Sequence, residues 1–320
     1  MDIPVYSSLI KSREFRERKD WFLASLEACR LCPRECKINR LKGATGFCHA
    51  GIKPKVFSYQ CHLGEEPPIS GKFGSGTIFF SRCSNRCLYC QNWRFSQLDE
   101  GKEIATEELA RIMLELQAKK CHNINLVTPT HYLPQILEAL EIASEQGFSL
   151  PLVYNTSGYE RIEILRLLEG IVNIYLPDMR YADSKIAEKY SHTVDYVKIN
   201  QEAVKEMFRQ VGNLVIEDGI ARHGLIIRHL ILPNNLAGTK AAMKFIKEEI
   251  SGDCFISLMS QYYPFYQASK DIKLNRPITH EEYEGACSIM LDLGLENGWI
   301  QDELDDRTRK EFAGEYFELF

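Results

Sequence analysis

Six short apolar segments, each followed by a segment with helical periodicity, constrain the fold of this chain more than any other feature. The apolar segments occupy residues 77–80, 124–127, 150–155, 171–176, 225–232 and 254–259. They show no alternation of apolar and polar residues, which indicates strands covered on both faces. Because parallel strands need a crossover of helical length, this order predicts an α/β fold with a parallel sheet. Six units are two short of a full barrel, so we predict a partial (β/α)6 barrel.

The segments between the strands carry apolar residues at helical spacing. Residues 106–120 begin with Thr106, which we predict to be the N-cap, and their predicted buried face holds Leu109, Ile112, Met113 and Leu116. Further helices are predicted over residues 133–147, 195–211, 239–250 and 279–293.

The chain divides into four predicted parts. Residues 1–60 form an N-terminal helix and a cysteine-rich extension, and residues 61–76, rich in glycine and proline, form a connector. Residues 77–300 form the barrel. Residues 301–320 form an acidic tail with seven acidic and three basic residues, which we interpret as a solvated face.

Net charge and hydropathy indicate which partners and which compartment to expect. The net charge of −5 gives no support for a nucleic-acid partner. No apolar run approaches the roughly 20 residues that span a bilayer, and the first residues lack the apolar core of a signal peptide. We therefore expect a cytoplasmic protein without a membrane partner. In that compartment, eleven cysteines favour metal binding or catalysis over disulfides.

Three cysteines follow the first predicted strand, and a metal site built from them would lack a fourth protein ligand. Cys83, Cys87 and Cys90 have the spacing C-x3-C-x2-C, and the next cysteine is Cys121. Thiolates bind zinc and iron–sulfur clusters, and a closed structural site takes four protein ligands. Three ligands in one loop leave a position where chemistry can occur. The alternative is a zinc knuckle or a chance group of thiols, and the strand–helix alternation around the loop counts against it.

Polar residues follow every predicted strand. After the cysteine loop they occupy residues 128–131, 155–160, 177–180, 233–235 and 260–264. Each is by itself typical of a turn or a helix cap. Because the carboxyl ends of parallel strands meet at one edge, together they predict a polar rim around the three cysteines.

Eight motifs connect this pattern to a known superfamily. They are CRLCPRECKINRLKGATGFC, HLGEEPPISG, SGTIFFSRCSNRCLYCQN, VTPTHYLPQI, VYNTSGYE, YLPDMRYAD, RHLILPNN and SLMSQYYP. The three-cysteine loop resembles the radical S-adenosylmethionine (SAM) superfamily, and the whole set resembles its PflX-like group, the homologues of pyruvate formate-lyase-activating enzyme. The resemblance implies a [4Fe-4S] cluster whose fourth iron binds SAM. It also implies reductive cleavage of SAM to a 5′-deoxyadenosyl radical that abstracts hydrogen from a substrate.

The resemblance also implies roles for individual residues. Cys83, Cys87 and Cys90 are the implied cluster ligands, and Tyr89 and Asn92 border the cluster loop and the SAM adenine. The remaining implied SAM contacts are Thr128, Thr130, His131, Asn155, Ser157, Asp178, Arg180 and Arg228. The segment 128–131 lacks the glutamate of the superfamily's Gly-Gly-Glu-like segment. Arg180 stands where related activases have lysine.

A second group of cysteines precedes the barrel. Cys29, Cys32, Cys36 and Cys48 have the spacing C-x2-C-x3-C-x11-C, and four thiols suffice for a closed zinc site or an auxiliary iron–sulfur cluster. The spacing does not decide between these two centres. Cys61-His62 either joins this site, lies near the SAM pocket or has no role in binding.

The resemblance implies a radical SAM enzyme whose substrate is unknown. One substrate class is a protein glycine, as in activation of a glycyl radical enzyme, and the other is a small molecule, a peptide or another protein side chain. The implied partner is an electron donor such as flavodoxin or ferredoxin. The alternative from another class is a non-catalytic iron–sulfur or zinc binding protein.

Overall fold

Ten strands form one sheet in the computed structural model, which describes residues 4–303 and residue 308. The strands are β1 (Lys55–His62), β2 (Ser75–Phe80), β3 (Lys102–Glu103), β4 (Ile124–Val127), β5 (Leu152–Thr156), β6 (Ile174–Pro177), β7 (Val215–Glu217), β8 (Ile220–Leu230), β9 (Phe255–Met259) and β10 (Gly298–Ile300). Their order is β10-β9-β8-β6-β5-β4-β2-β1-β3, and β7 pairs with β8 outside this order.

Six of these strands form the barrel that the sequence predicts. β2, β4, β5, β6, β8 and β9 pair in parallel in that order. All residues of β2, β4, β5 and β6 are buried, because the sheet is covered on both faces. The α/β fold with a partial barrel is therefore confirmed. The bounds differ most at β8, which begins at Ile220 instead of residue 225.

Four strands were not predicted. β1 runs antiparallel to β2, β3 to β1 and β7 to β8, whereas β10 is parallel to β9. The residues of β3 and β7 are all exposed, so these strands carry no buried apolar run. The predicted connector, residues 61–76, contains the end of β1, the short helix α3 and the beginning of β2.

Helices cover the sheet. They are α1 (Tyr6–Leu9), α2 (Arg13–Ala24), α3 (Pro67–Ser70), α4 (Trp93–Gln97), α5 (Thr106–Ala118), α6 (Leu133–Glu145), α7 (Ile162–Leu167), α8 (Ser184–Ser191), α9 (Tyr196–Val211), α10 (Thr239–Phe245, continued by a π-helical turn, Ile246–Ile250) and α11 (His280–Asp292). The predicted Thr106 cap is wrong, because the helix begins at Thr106 itself and extended Ala105 is the N-cap. The predicted buried face of α5 is confirmed.

The N-terminal part packs against the barrel. Lys19 of α2 forms an ion pair with Glu141 of α6, and Tyr6 donates a hydrogen bond to the Leu150 carbonyl at 2.7 Å. None of the helices that the structure describes combines the length and the apolar character of a membrane-spanning segment. Of the predicted acidic tail, residues 304–307 and 309–320 lie outside the described residues.

Candidate active site

A cavity of about 490 Å³ lies at the carboxyl ends of the parallel strands. The loop after β2 contributes Cys87 and Cys90 to its lining. The other predicted site residues in the lining are Tyr89, Asn92, Thr128, Asn155, Ser157, Asp178, Arg180 and Arg228. The strand ends thus meet at one rim, as their polar residues predict. Cys83 lies on the outer side of the same loop, where it lines a surface groove together with Cys48.

Each thiol of the loop has a hydrogen-bond partner. The Asn85 backbone N–H donates to the Cys83 sulfur at 3.3 Å, and the Cys90 sulfur lies 3.2 Å from the Ser96 hydroxyl. The Cys87 sulfur accepts from Ser191 at 3.0 Å. Hydrogen bonds to sulfur ligands are among the features that set the reduction potential of an iron–sulfur cluster.

A chain of buried hydroxyls ends at Cys87. Tyr89 donates to the Tyr181 hydroxyl at 2.6 Å, and the Tyr181 hydroxyl lies 2.6 Å from that of Ser191, which donates to the Cys87 sulfur. This chain fixes the cysteine loop against the end of α8. Tyr89 lines the cavity, and its hydroxyl points to Tyr181.

Burial keeps two of the thiols protonated when no metal is bound. It raises the pKa of Cys83 to about 12 and also raises the pKa of Cys90. Metal binding requires the thiolate, and the charge of the metal supplies the driving force for proton loss. These thiols therefore suit permanent metal ligands better than free nucleophiles.

The donor set fits a cluster that binds a further ligand. Within residues 4–303 and 308, no group of three or more His, Cys, Asp or Glu side chains is already arranged to hold a metal ion. In a [4Fe-4S] cluster each cysteine binds a different iron, so its thiolates need not meet at one point. Asn92 Oδ1 is buried in the cavity wall without a hydrogen-bond partner among the described residues. An unpaired buried amide oxygen fits a ligand that donates a hydrogen bond.

Asp178 and Arg180 form an ion pair at the end of β6. Arg180 Nε and Nη2 donate to Asp178 Oδ2 at 2.9 and 2.5 Å, and Nη1 donates to the Cys87 sulfur at 2.9 Å. A guanidinium has five N–H groups, so its Nη1–Nη2 edge retains donors for another acceptor. Arg180 thus lies between the cysteine loop and the open cavity.

Thr128 has an unusual backbone conformation at the end of β4. Its φ is 57°, in the left-handed region that β-branched residues avoid. Its N–H donates to the Asn155 carbonyl at 2.8 Å, which ties the ends of β4 and β5 together. Such strain persists where the surrounding structure holds it, often at functional sites.

Thr130 and His131 lie outside this cavity, contrary to their predicted place beside SAM. A 3₁₀ turn, Thr130–Tyr132, directs them elsewhere. Thr130 donates to Glu160 Oε1 at 2.6 Å, and His131 contacts the Ser81 carbonyl at 2.9 Å. His131 instead lines a second cavity, together with the four N-terminal cysteines.

The Nε–Nη2 edge of the Arg228 guanidinium is not free to bind SAM or a substrate. Its Nε and Nη2 donate to the two carboxylate oxygens of Glu66 at 2.7 Å each, and Nη2 also donates to Glu65. Burial opposes ionisation of Glu66, but the Arg228 charge outweighs it and holds the pKa of Glu66 below its usual value. Glu65 and Glu66 line the cavity, and sequence reasoning missed them because it assigned residues 61–76 to a connector.

The remaining cysteines are separate from the cavity. The Cys61 and Cys121 sulfurs lie 2.9 Å apart, and neither cysteine lines the cavity at the strand ends or the cavity of the N-terminal cysteines. His62 packs edge-on to Phe79. Cys254 is buried and Cys287 is half-buried.

Comparisons with known proteins address the superfamily. The family model described as the radical SAM superfamily matches residues 77–246. Uncharacterized protein MJ0674 of Methanocaldococcus jannaschii is 32% identical over 272 residues, which are 82% of this chain and 73% of that protein. Uncharacterized protein MJ0808 of the same organism is 24% identical over 294 residues, which are 85% of this chain and 80% of that protein.

A solved structure shares the fold. The crystal structure of HydG, described as a maturase of the [FeFe]-hydrogenase, matches with a TM-score of 0.52 at 13% sequence identity. The match covers 76% of this chain and 54% of the HydG chain, so this chain spans about half the length of that protein.

Proposed function

The chain belongs to the radical SAM superfamily, and on that premise we propose that it cleaves SAM reductively at Cys83, Cys87 and Cys90. A [4Fe-4S] cluster bound there supplies the electron for cleavage to methionine and a 5′-deoxyadenosyl radical, the family's common chemistry. The observation that carries the proposal is a loop with three cysteines and no fourth, two of them lining a cavity at the strand ends.

The residues of the rim position SAM in this proposal. Arg180 holds the SAM carboxylate with the N–H groups that Asp178 and Cys87 leave unused on its Nη1–Nη2 edge, and Asp178 keeps that guanidinium in place. Asn92 accepts a hydrogen bond from the adenine amino group. Asn155 and Ser157, at the end of β5, contact the ribose or the methionine part.

The substrate is a C–H donor that reaches the same cavity. Glu65 and Glu66 carry one more negative charge than Arg228 compensates, which favours a polar substrate over an apolar one. A glycine of a glycyl radical enzyme, a peptide, another protein side chain and a small molecule are the candidate classes. The proposed electron donor is a flavodoxin or ferredoxin.

The N-terminal cysteines form a second metal centre in this proposal. Cys29, Cys32, Cys36 and Cys48 all line one cavity, as four ligands of a single centre must. Both zinc and an iron–sulfur cluster satisfy four thiolates.

Electron paramagnetic resonance of the reduced, anaerobically reconstituted protein tests the assignment of the cluster. We expect a [4Fe-4S] signal that changes when SAM is added, because SAM binds directly to one iron. The triple alanine variant of Cys83, Cys87 and Cys90 should lack it. The control is Cys287→Ala, at a half-buried thiol on α11, which should keep it. A SAM-responsive signal in the triple variant would show that the cluster lies elsewhere.

A further inference from the structure

Cys61 and Cys121 form a thiol pair outside the two predicted metal-binding groups. Cys61 is on β1, Cys121 lies between α5 and β4, and their sulfurs are 2.9 Å apart. Among the residues that the structure describes, this is the only hydrogen bond that joins two cysteine sulfurs. A small rotation of the two side chains would bring the sulfurs to the bonding distance of a disulfide, about 2.05 Å.

The sheet brings the two cysteines together although they are 60 positions apart in the chain. β2 lies between β1 and β4 and pairs with both. Gly76 of β2 is opposite Cys61, so no side chain stands there to separate the sulfurs. A Cβ at Gly76 would lie 2.8 Å from the carbonyl oxygen of Asn123, close to Cys121 along the chain. The two thiols therefore meet across a glycine, in a place that the fold holds fixed.

The two thiols differ in access and in protonation. Cys61 is half-buried, whereas Cys121 is 2% exposed. Cys121 donates the hydrogen bond between the sulfurs, and burial together with this hydrogen bond raises the pKa of its thiol. A thiolate accepts hydrogen bonds but cannot donate one, and the thiolate is the form that reacts with oxidants. This arrangement makes Cys61 the sulfur that reacts first and Cys121 the sulfur that completes the bond.

We propose that Cys61 and Cys121 form a reversible disulfide on exposure to peroxide. The Cys61 thiolate attacks hydrogen peroxide: an S–O bond forms, the O–O bond breaks, and the departing hydroxide takes up the proton that Cys61 released. The Cys121 thiol then attacks the Cys61 sulfur: an S–S bond forms, the S–O bond breaks, and water leaves with the Cys121 proton. Two thiols are oxidised while one peroxide is reduced to two waters.

The disulfide joins two chain segments that meet again at the large cavity. Glu65 follows Cys61 on one segment, and Asn125 follows Cys121 on the other. Asn125 Nδ2 donates to Glu65 Oε1 at 2.8 Å, and Glu65 lines the cavity. The cross-link therefore fixes both segments behind this contact without occupying the cavity. It also closes a long loop, which lowers the conformational entropy of the unfolded chain.

Peptide mapping tests the pairing. Reconstituted protein is treated with hydrogen peroxide, its free thiols are blocked with iodoacetamide, and it is digested with trypsin without a reductant. We expect residues 56–72 and 121–161, which hold one cysteine each, as a single linked species that dithiothreitol separates. Iodoacetamide on both peptides, a sulfinic acid at Cys61, or a link from Cys61 to any other cysteine would overturn the proposal. None of these results depends on SAM cleavage.

A matched pair of variants tests the effect of the cross-link on stability. Cys61 and Cys287 are both half-buried, so Cys61→Ser removes the pair and Cys287→Ser is the control. In peroxide-treated wild type and Cys287→Ser, dithiothreitol should lower the midpoint of thermal unfolding by several degrees, because it opens the loop. In Cys61→Ser it should not. An equal decrease in Cys61→Ser would assign the effect to other cysteines and contradict the proposal. If Cys61→Ser does not fold, the peptide map of the wild type decides.

Discussion

Glu160 is a buried carboxyl in the loop that follows β5. Burial raises its pKa to about 7, although hydroxyl donors from Thr130 and Thr156 partly offset the effect. Its Oε1 accepts from both threonines, and its Oε2 has no partner among the described residues. A carboxyl in such a place is most stable in its protonated form.

The raised pKa of Glu160 predicts a pH-dependent stability. The carboxyl of Glu160 has a pKa of 4.5 in the unfolded state and about 7 in the folded state, so the folded state binds its proton more tightly. The contribution of this proton to the free energy of unfolding is therefore lost as pH rises from 4.5 to about 7. Glu160→Gln should therefore gain stability relative to wild type as pH rises, by up to about 3 kcal/mol above pH 7. Urea unfolding at pH 5 and pH 8 measures the difference.

Glu296→Gln is the control, because Glu296 is exposed. Its effect should be the same at both pH values. An equally constant effect of Glu160→Gln would show that Glu160 ionises in the folded protein as it does in water.

At the scale of residues, the sequence predicts the position of the cysteine loop better than the contacts around it. The spacing of Cys83, Cys87 and Cys90 is a local property, and their loop follows a buried strand as expected. Glu66 was missed because its partner, Arg228, is brought to it only by tertiary packing. The resemblance implies a place beside SAM for His131, but the direction of a side chain within a 3₁₀ turn depends on packing.

At the scale of elements, Gly158 allows two strand ends to meet. Its φ is 70°, and a Cβ there would lie 2.1 Å from Asn200 Nδ2 and 2.6 Å from the Asp178 carbonyl oxygen. Asn200 donates to that carbonyl at 2.9 Å, which fixes the loop before Arg180. The loops after β5 and β6 therefore require glycine at this position.

Gly158→Ala should destabilise the protein by several kcal/mol and weaken SAM binding, because the methyl group collides with groups that cannot move independently. Gly147→Ala is the matched control: its φ is 89°, but no atom lies within 4 Å of the added Cβ. It should cost about 1–2 kcal/mol, the ordinary penalty of the left-handed conformation. Urea unfolding of both variants compares them, and equal losses would contradict the close contact at Gly158.

The strands differ in how well the sequence predicts them. β4 has the predicted bounds because all its residues are buried and apolar or amide-bearing. β3 and β7 are short and exposed, so their pairing depends on neighbouring strands and not on an apolar pattern. β1 was missed because its partly buried residues do not form one apolar run.

At the scale of the whole molecule, the cysteine loop lies between two supports. α8 holds its inner side through the hydroxyl chain from Tyr89 to Cys87, and the N-terminal segment holds its outer side through Arg34 and Arg86. The sequence predicts both cysteine groups but not their proximity, because residues 29–48 lie far from the barrel loop along the chain. The N-terminal part is therefore a structural support of the proposed reaction centre.

Formation of 5′-deoxyadenosine tests the central claim most directly. Reconstituted protein is reduced with dithionite under anaerobic conditions, incubated with SAM and analysed for 5′-deoxyadenosine and methionine. We predict that the wild type forms both products and that the triple alanine variant of Cys83, Cys87 and Cys90 forms neither. A wild-type protein with a full reduced cluster that leaves SAM intact would contradict the account, as would equal product from the triple variant.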